Sequence, residues 1–458
     1  MAKQVWRKGR IVLAGICGVV ALTLLAMWGC GTSGYDNPSA AVVTTKTATA
    51  LIQAADLKRW ADAGLVNKAG GYDRVVILEV TTNTNNYNGE HIPGAISVNR
   101  ATDIAVQRVE GPALTGDLVA DGKMMDALIQ RCGIDQNTTI VFTTSEAEMN
   151  ADNHYNLTRG YATFRYWGFP KERLKVLDGG NKAWKAAGLP MTTIVPGIKS
   201  STYCVTPDNT NRVRDDLRAT LSDMIKAVQA VQAGTATYDF IDGRADGVPG
   251  ETQDIIDTTL TGPTYDTTTT PPTIKSVGGL KKDVVFEGQV KGGRGYAYSN
   301  LRDVTTRKFK SISDVIAGLD LQKPTTYVMC RSGNIATVLF FAIDGYAFYD
   351  GSKKAVWYDG SWGQWGLMAT SDQLTTAGII AGGKLPVGSA WSTVSLTNIL
   401  SYNKDNTLRT VIDITSRLAP VSHADVNANQ TEEADKAYRS PVSTSGGGAT
   451  VGGGGGGC

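Results

Sequence analysis

The chain has 458 residues, more than one ordinary hydrophobic core supports, so two domains plus extra segments are expected. Its formal net charge is +2, and Lys3, Arg7, Lys8 and Arg10 all fall within the first 29 positions, where no acid occurs. The remainder is close to neutral, which argues against the broad basic surface a nucleic-acid partner requires. Six cysteines over this length are too few for a disulfide framework, and their wide spacing, with histidines scattered at 91, 154 and 423, argues against a zinc site.

Residues 1–29 have the order of a secretory signal: a basic start, an apolar run from Ile11 to Met27, then Gly29 followed by Cys30. A small residue directly before a Cys at the end of an apolar run is similar to the lipobox of bacterial lipoproteins, which implies lipidation at Cys30. An uncleaved membrane helix is the alternative, since about 17 apolar residues just span a bilayer. Either reading places the bulk of the chain outside the cytoplasm. The absence of Asp after Cys30 favours the outer membrane of a two-membrane organism.

A Thr- and Ala-rich spacer (30–49) leads into a first region, 50–200. There a short helix (Leu51 to Ala63) precedes an apolar strand, Val75 to Val80. Gly89-Glu90-His91-Ile92-Pro93-Gly94-Ala95 reads as a turn, with His91 as a hydrogen-bonding stabiliser. Met124 to Arg131 reads as a helix, Thr139 to Phe142 as a buried strand, and Tyr161 to Trp167 as a helix stopped by Gly168 and Pro170. Asp178-Gly179-Gly180 follows, with Trp184 six residues after the Asp. Short apolar strands alternating with helices indicate an α/β domain with a mainly parallel sheet.

The same signals recur in residues 201–395. Asp239 to Asp242 is again an apolar strand ending in an acid, Thr325 to Cys330 mirrors Thr138 to Thr143, and Asp359-Gly360-Ser361 with Trp365 mirrors Asp178 to Trp184. The pattern is that of a tandem duplication. A Thr- and Pro-rich insertion at about 247–276 has the composition of a surface loop, without strands or helices. An extension (396–439) with a strand-like Thr410 to Ile414 turns polar, and 440–458 is a flexible Gly-rich tail ending in Cys458. Cys132 and Cys204 are expected as small apolar fillers, or as each other's disulfide partner.

These motifs resemble the rhodanese family, specifically the tandem thiosulfate/3-mercaptopyruvate sulfurtransferase-like proteins in which an inactive N-terminal copy packs against an active C-terminal one. The matches are the Gly-x-His-Ile-Pro-Gly-Ala turn at Gly89 to Ala95, the Asp-Gly-Gly-x-x-x-Trp motif at Asp178, Asp242-Gly243-Arg244, the Cys-x-x-Gly loop at Cys330, and Asp359-Gly360-Ser361-Trp362. The resemblance implies two tandem α/β domains, each a mainly parallel sheet flanked by helices. It also implies sulfur transfer from a thiosulfate-like anion to a thiol acceptor through a persulfide on Cys330, without a dissociable cofactor.

Cys330 ends an apolar strand, and Arg331-Ser332-Gly333-Asn334 forms a tight loop before a helix beginning at Ile335. Backbone N–H groups and the helix dipole are expected to lower the thiol pKa. Arg331 is expected to pair with the anionic donor, Asp242 and Arg244 to brace the loop as an ion pair, and Lys291 and Arg294 to line the entrance or remain solvated. Thr143 stands in the first region where the second has Cys330, and Glu79-Val80-Thr81 stands for Asp-x-Arg, so that region is expected not to turn over. Cys458 is either an accessory thiol or the end of a tail without a role. The competing function is a non-catalytic assembly subunit docked on an outer-membrane or electron-transfer complex.

Overall fold

A computed structural model describes residues 43–205, 213–246, 264–266, 273–276, 286–369, 385, 388–402 and 424–439. The first region is built on β1 (Leu51–Ile52), β2 (Arg74–Thr81), β3 (Ala95–Asn99), the hairpin β4 (Ala105–Glu110) and β5 (Ala113–Val119), β6 (Thr138–Thr143) and β7 (Leu174–Leu177). Its sheet runs β1-β7-β6-β2-β3 with every pair parallel. The interior strand β2 reads Arg-Val-Val-Ile-Leu-Glu-Val-Thr, a near-continuous apolar run, because an interior strand of such a sheet is covered on both faces.

The second region comprises β8 (Arg218–Ala219), β9 (Tyr238–Asp242), the pair β10 (Thr264–Asp266) and β11 (Thr273–Ser276), β12 (Phe286–Val290), β13 (Arg294–Gly295), β14 (Thr325–Met329), β15 (Lys354–Tyr358) and β16 (Thr397–Tyr402). Its main sheet, β8-β15-β14-β9-β13, is also parallel throughout. By order of appearance, both sheets run first, fifth, fourth, second, third. Helix starts are set locally. Asp121 caps Gly122–Arg131 through Met124 N, and Thr220 and Asp223 form a reciprocal capping box on Leu221–Gln232.

Several expectations need correction. The insertion contains an antiparallel pair, β10 with β11, rather than loop alone. The second region does not stop at 395, because β16 pairs antiparallel with β12. The spacer is ordered before residue 50: Thr45 is buried, with its hydroxyl 2.8 Å from that of Thr139. Cys132 is a free buried thiol, so it is not bridged to Cys204, and Cys204 is disulfide-bonded rather than an apolar filler. The register also moves the first-region counterpart of Asp-x-Arg by one position. Glu79 lies opposite Thr143, whereas Asp242 lies opposite Met329, so Leu78-Glu79-Val80 occupies the place of Asp242-Gly243-Arg244. The segments 1–29 and 440–458 and the strand-like 410–414 lie outside the described residues.

The two regions are tied by buried charge. Helix Tyr155–Tyr166 packs on helix Ala336–Phe341, and Asp344 accepts from Tyr161 at 2.7 Å and from Arg165 Nε at 2.9 Å. The β4–β5 hairpin leaves the first sheet and contributes Ala113 to the second region's core. Its Glu110 meets Arg218 at 2.7 Å, and Arg218 meets Asp359 at 2.8 Å, all three side chains fully buried. Helix Gln430–Ala437 clamps the hairpin from outside through Arg108 and Asp435 at 2.7 Å.

Removing the cation from Glu110–Arg218–Asp359 strands two buried carboxylates. Arg218→Ala is expected to cost about 3–5 kcal/mol in urea unfolding. A loss under 1 kcal/mol would contradict this account. Glu79 is fully buried with Oε1 unpartnered, and desolvation raises its carboxyl from 4.5 to about 7. The folded state therefore binds this proton more tightly than the unfolded state, so stability is full below pH 4.5 and falls as pH rises toward 7. The loss comes to about 3 kcal/mol. Glu79→Gln is expected to match the parent near pH 4.5 and to melt higher at pH 8; equal melting temperatures at both would refute the assignment.

Candidate functional site

Parallel pairing of Met329 with Asp242 sets Cys330 at the C-terminal end of β14, the end at which open α/β sheets bind ligands. Cys330 is 1% exposed. The N–H groups of Ser332 and Ala336 bond to its sulfur. The Ser361 hydroxyl accepts from Cys330 N at 3.0 Å, donates to Tyr358 O at 2.8 Å and lies 3.9 Å from the sulfur. Gly333 closes the loop at φ +74°, and any Cβ there would collide with the Asp359 backbone. The Gly333 carbonyl accepts from Trp357 Nε1 at 2.9 Å.

The other predicted residues separate into those the fold brings to this loop and those it does not. Arg331 is half-buried, with its carbonyl held by Gly363 N at 2.8 Å. Asn334 is a connector: Oδ1 accepts from Arg100 at 2.9 Å, and Nδ2 donates to Asp117 at 3.3 Å and Ser332 at 3.2 Å. Ile335 is half-buried, just before the helix. Asp242 receives Arg244 through Nε at 2.9 Å and Nη2 at 2.7 Å; Arg244 also donates to Gly288 O at 2.7 Å and lies 4.8 Å over the Trp362 ring. The pair lies at the end of β9, beside the strand that leads to Cys330.

Lys291 and Arg294 are each engaged with a main-chain carbonyl. Lys291 reaches Ser395 O at 2.7 Å, and Arg294 donates to Leu319 O. His91 is held by Tyr87 O at 2.9 Å and Ile194 O at 3.0 Å and stacks on Tyr87, a turn stabiliser as expected. Cys30 and Cys458 lie outside the described residues.

The expected thiol activation is reversed in this conformation. Burial pushes the Cys330 thiol above its ordinary value; the bonds from Ala336, Ser332 and Ser361 pull it down without prevailing, and the Asp242 carboxylate adds to the rise. The helix after the loop is also short, six α-helical residues passing into a π-helical turn at Ala342–Ala347, so its dipole is modest. Position in sequence gave no sign of Arg100 and Asp117, since they reach Asn334 from more than 200 residues away.

In the first region the corresponding place holds a hydroxyl. Thr143 Oγ1 donates to Asn181 at 2.7 Å, and Asn181 donates to Glu79 at 2.7 Å. A hydroxyl closed into that chain has no sulfur to carry. Among the described residues no cluster of His, Cys, Asp and Glu suits a metal ion, and no helix is long and apolar enough to cross a membrane.

Residues 54–187 match the model of the rhodanese-like domain. The chain is 28% identical over 167 residues to a Mycobacterium leprae protein named "Putative thiosulfate sulfurtransferase", covering 35% of this chain and 52% of that one. It is 24% identical over 287 residues to the thiosulfate sulfurtransferase of Corynebacterium glutamicum, covering 62% and 79%. Against the first of these, the match spans about half of the relative's length. Among solved structures, the anaerobic ergothioneine biosynthesis enzyme from Chlorobium limicola aligns with a TM-score of 0.47 at 16% identity, over 69% of this chain and 68% of that one. Residues 54–187 thus carry a rhodanese-like domain on a parallel α/β fold, and proteins named as thiosulfate sulfurtransferases are among those this chain is similar to.

Proposed function

We propose that this chain is an exported, lipid-anchored sulfurtransferase that passes sulfane sulfur from a thiosulfate-like anion to a thiol acceptor through a persulfide on Cys330. The observation that carries the reading is the loop of Cys330, with the N–H groups of Ser332 and Ala336 directed at the sulfur and Gly333 held in a conformation that suits glycine. The Cys330 thiolate attacks the outer sulfur of thiosulfate, forming a new S–S bond as sulfite leaves with the electron pair of the old one. The acceptor then attacks the outer persulfide sulfur, and Cys330 leaves as thiolate, so no outside oxidant or reductant is needed. Arg331 supplies positive charge for the donor.

In this reading the two sheets of identical strand order are tandem copies, the first retained for packing because Thr143 cannot carry sulfur. The signal-like start and Gly29-Cys30 support export and anchoring, with the outer membrane as destination. A second reading is favoured by one observation, the burial of Cys330 with its thiol held neutral: the fold serves as a docking subunit in a membrane or electron-transfer assembly.

Intact-mass analysis of residues 31–458 after thiosulfate treatment is expected to show one added sulfur, lost in Cys330→Ser and retained in Cys458→Ser, with thiocyanate released on cyanide addition. No adduct across a range of donors, together with full biological activity of Cys330→Ser, would establish the docking role instead. Because the thiol is raised above its ordinary value, sulfur loading is expected to accelerate with pH well into the alkaline range. A rate already flat at pH 7 would mean that a low-pKa thiolate exists in solution.

A further inference from the structure

Helix Tyr155–Tyr166 of the first region lies along the helix that follows the Cys330 loop, and the hydroxyls of Thr158 and Thr337 meet at 2.8 Å. One position further on is Arg159, which is fully buried. Its Nη2 donates to Asp117 O at 2.6 Å, and its guanidinium lies 4.5 Å from the centroid of Trp357, the ring that holds Gly333 O. Its Nε and Nη1 meet no hydrogen-bond partner. A buried cation normally has a carboxylate at ion-pair distance, and a buried donor left unmet is costly.

After desolvation, the charges that act most on Arg159 are, in order, Asp359, Asp117, Arg100 and Cys330. Asp359 is already bound by Arg218 and by Val119 N, and the Asp117 carboxylate takes Asn334. Desolvation brings Arg159 down to about 10, which leaves it protonated at neutral pH. Cys330 is the acting group that becomes anionic only during the proposed chemistry. Facing Cys330 are the Asp242 carboxylate from β9, which opposes a thiolate, and the loop's own N–H donors, which support one.

We infer that Arg159 is the counter-ion for anionic sulfur at Cys330, so that the first region, lacking a sulfur carrier of its own, supplies a charge to the site of the second. This rests on the reading of Cys330 as the sulfur carrier. Arg159 is assigned as a positioning residue for charge, acting on the thiolate and then on the persulfide. It also gives a physical reason for keeping a cation where an apolar side chain would pack at lower cost.

The test uses the soluble chain, residues 31–458, with Arg159→Met, Arg159→Gln and Arg159→Lys. The reactivity of Cys330 toward iodoacetamide is followed against pH by peptide mass, alongside thermal unfolding. Arg159→Met is expected to move the alkylation midpoint up by roughly one pH unit, a tenfold loss of rate below it, while raising the melting temperature. Arg159→Gln, which keeps a donor for Asp117 O, is expected to shift the midpoint likewise and answers the question if the Met variant does not fold. Arg159→Lys is expected to keep the parent midpoint. An unchanged midpoint in the neutral variants, whatever their melting temperature, would overturn the inference and leave Arg159 as packing. Alkylation needs no sulfur donor, so a parent protein that takes no sulfur while these midpoints shift would sink the sulfurtransferase reading and not the counter-ion.

Discussion

The contact on which the site depends is the fully buried guanidinium of Arg218, held between Glu110 and Asp359. Glu110 belongs to the hairpin that crosses from the first region; Asp359 belongs to the turn after β15 in the second. Asp359 also accepts from Val119 N, and its backbone abuts Gly333 at the position where a side chain would stand. One cation therefore fixes the hairpin, the turn and the floor of the Cys330 loop together. Such an arrangement is poor value as stability, since replacing buried ion clusters by apolar groups is often neutral or favourable. Its use here is geometric: it ties the β4–β5 hairpin to the second sheet beside the Cys330 loop.

Two sheets with one strand order differ in a few side chains at the ends of their strands. In the first region Thr143, Asn181 and Glu79 form a closed hydrogen-bond chain. In the second the same place holds Cys330, with Ser361 and two loop N–H groups around it. The first sheet keeps the packing surface of helix Tyr155–Tyr166, and from that helix come Tyr161 and Arg165 on Asp344, Thr158 on Thr337, and Arg159 over Trp357. The first region is thereby tied to the elements that surround the Cys330 loop.

The parallel α/β architecture was legible because each strand is a short apolar run punctuated by glycine and proline, and because the runs recur in the same order. The Asp242–Arg244 pair and the glycine of the loop were legible because each is fixed by its immediate neighbours in sequence. What escaped was set at long range. Arg100 and Asp117 bind Asn334 across the interface, and β16 returns to β12 after more than 100 residues. The direction of the Cys330 shift escaped for a related reason: local geometry supplies the N–H donors, while burial, which wins, comes from a core that draws on both regions.

That competition constrains how the proposed chemistry proceeds. With the site closed, water is excluded, the thiol stays neutral, and a persulfide once formed is shielded from bulk nucleophiles. The same closure limits a donor's access to the sulfur, and the part-buried bonds of Asn334 to Arg100 and Asp117 tie the loop to the first region. Anything that admits solvent to Cys330 reduces the desolvation that keeps it neutral, while the loop N–H donors are local to the loop itself. Access of solvent and ionisation of the thiol are thereby coupled.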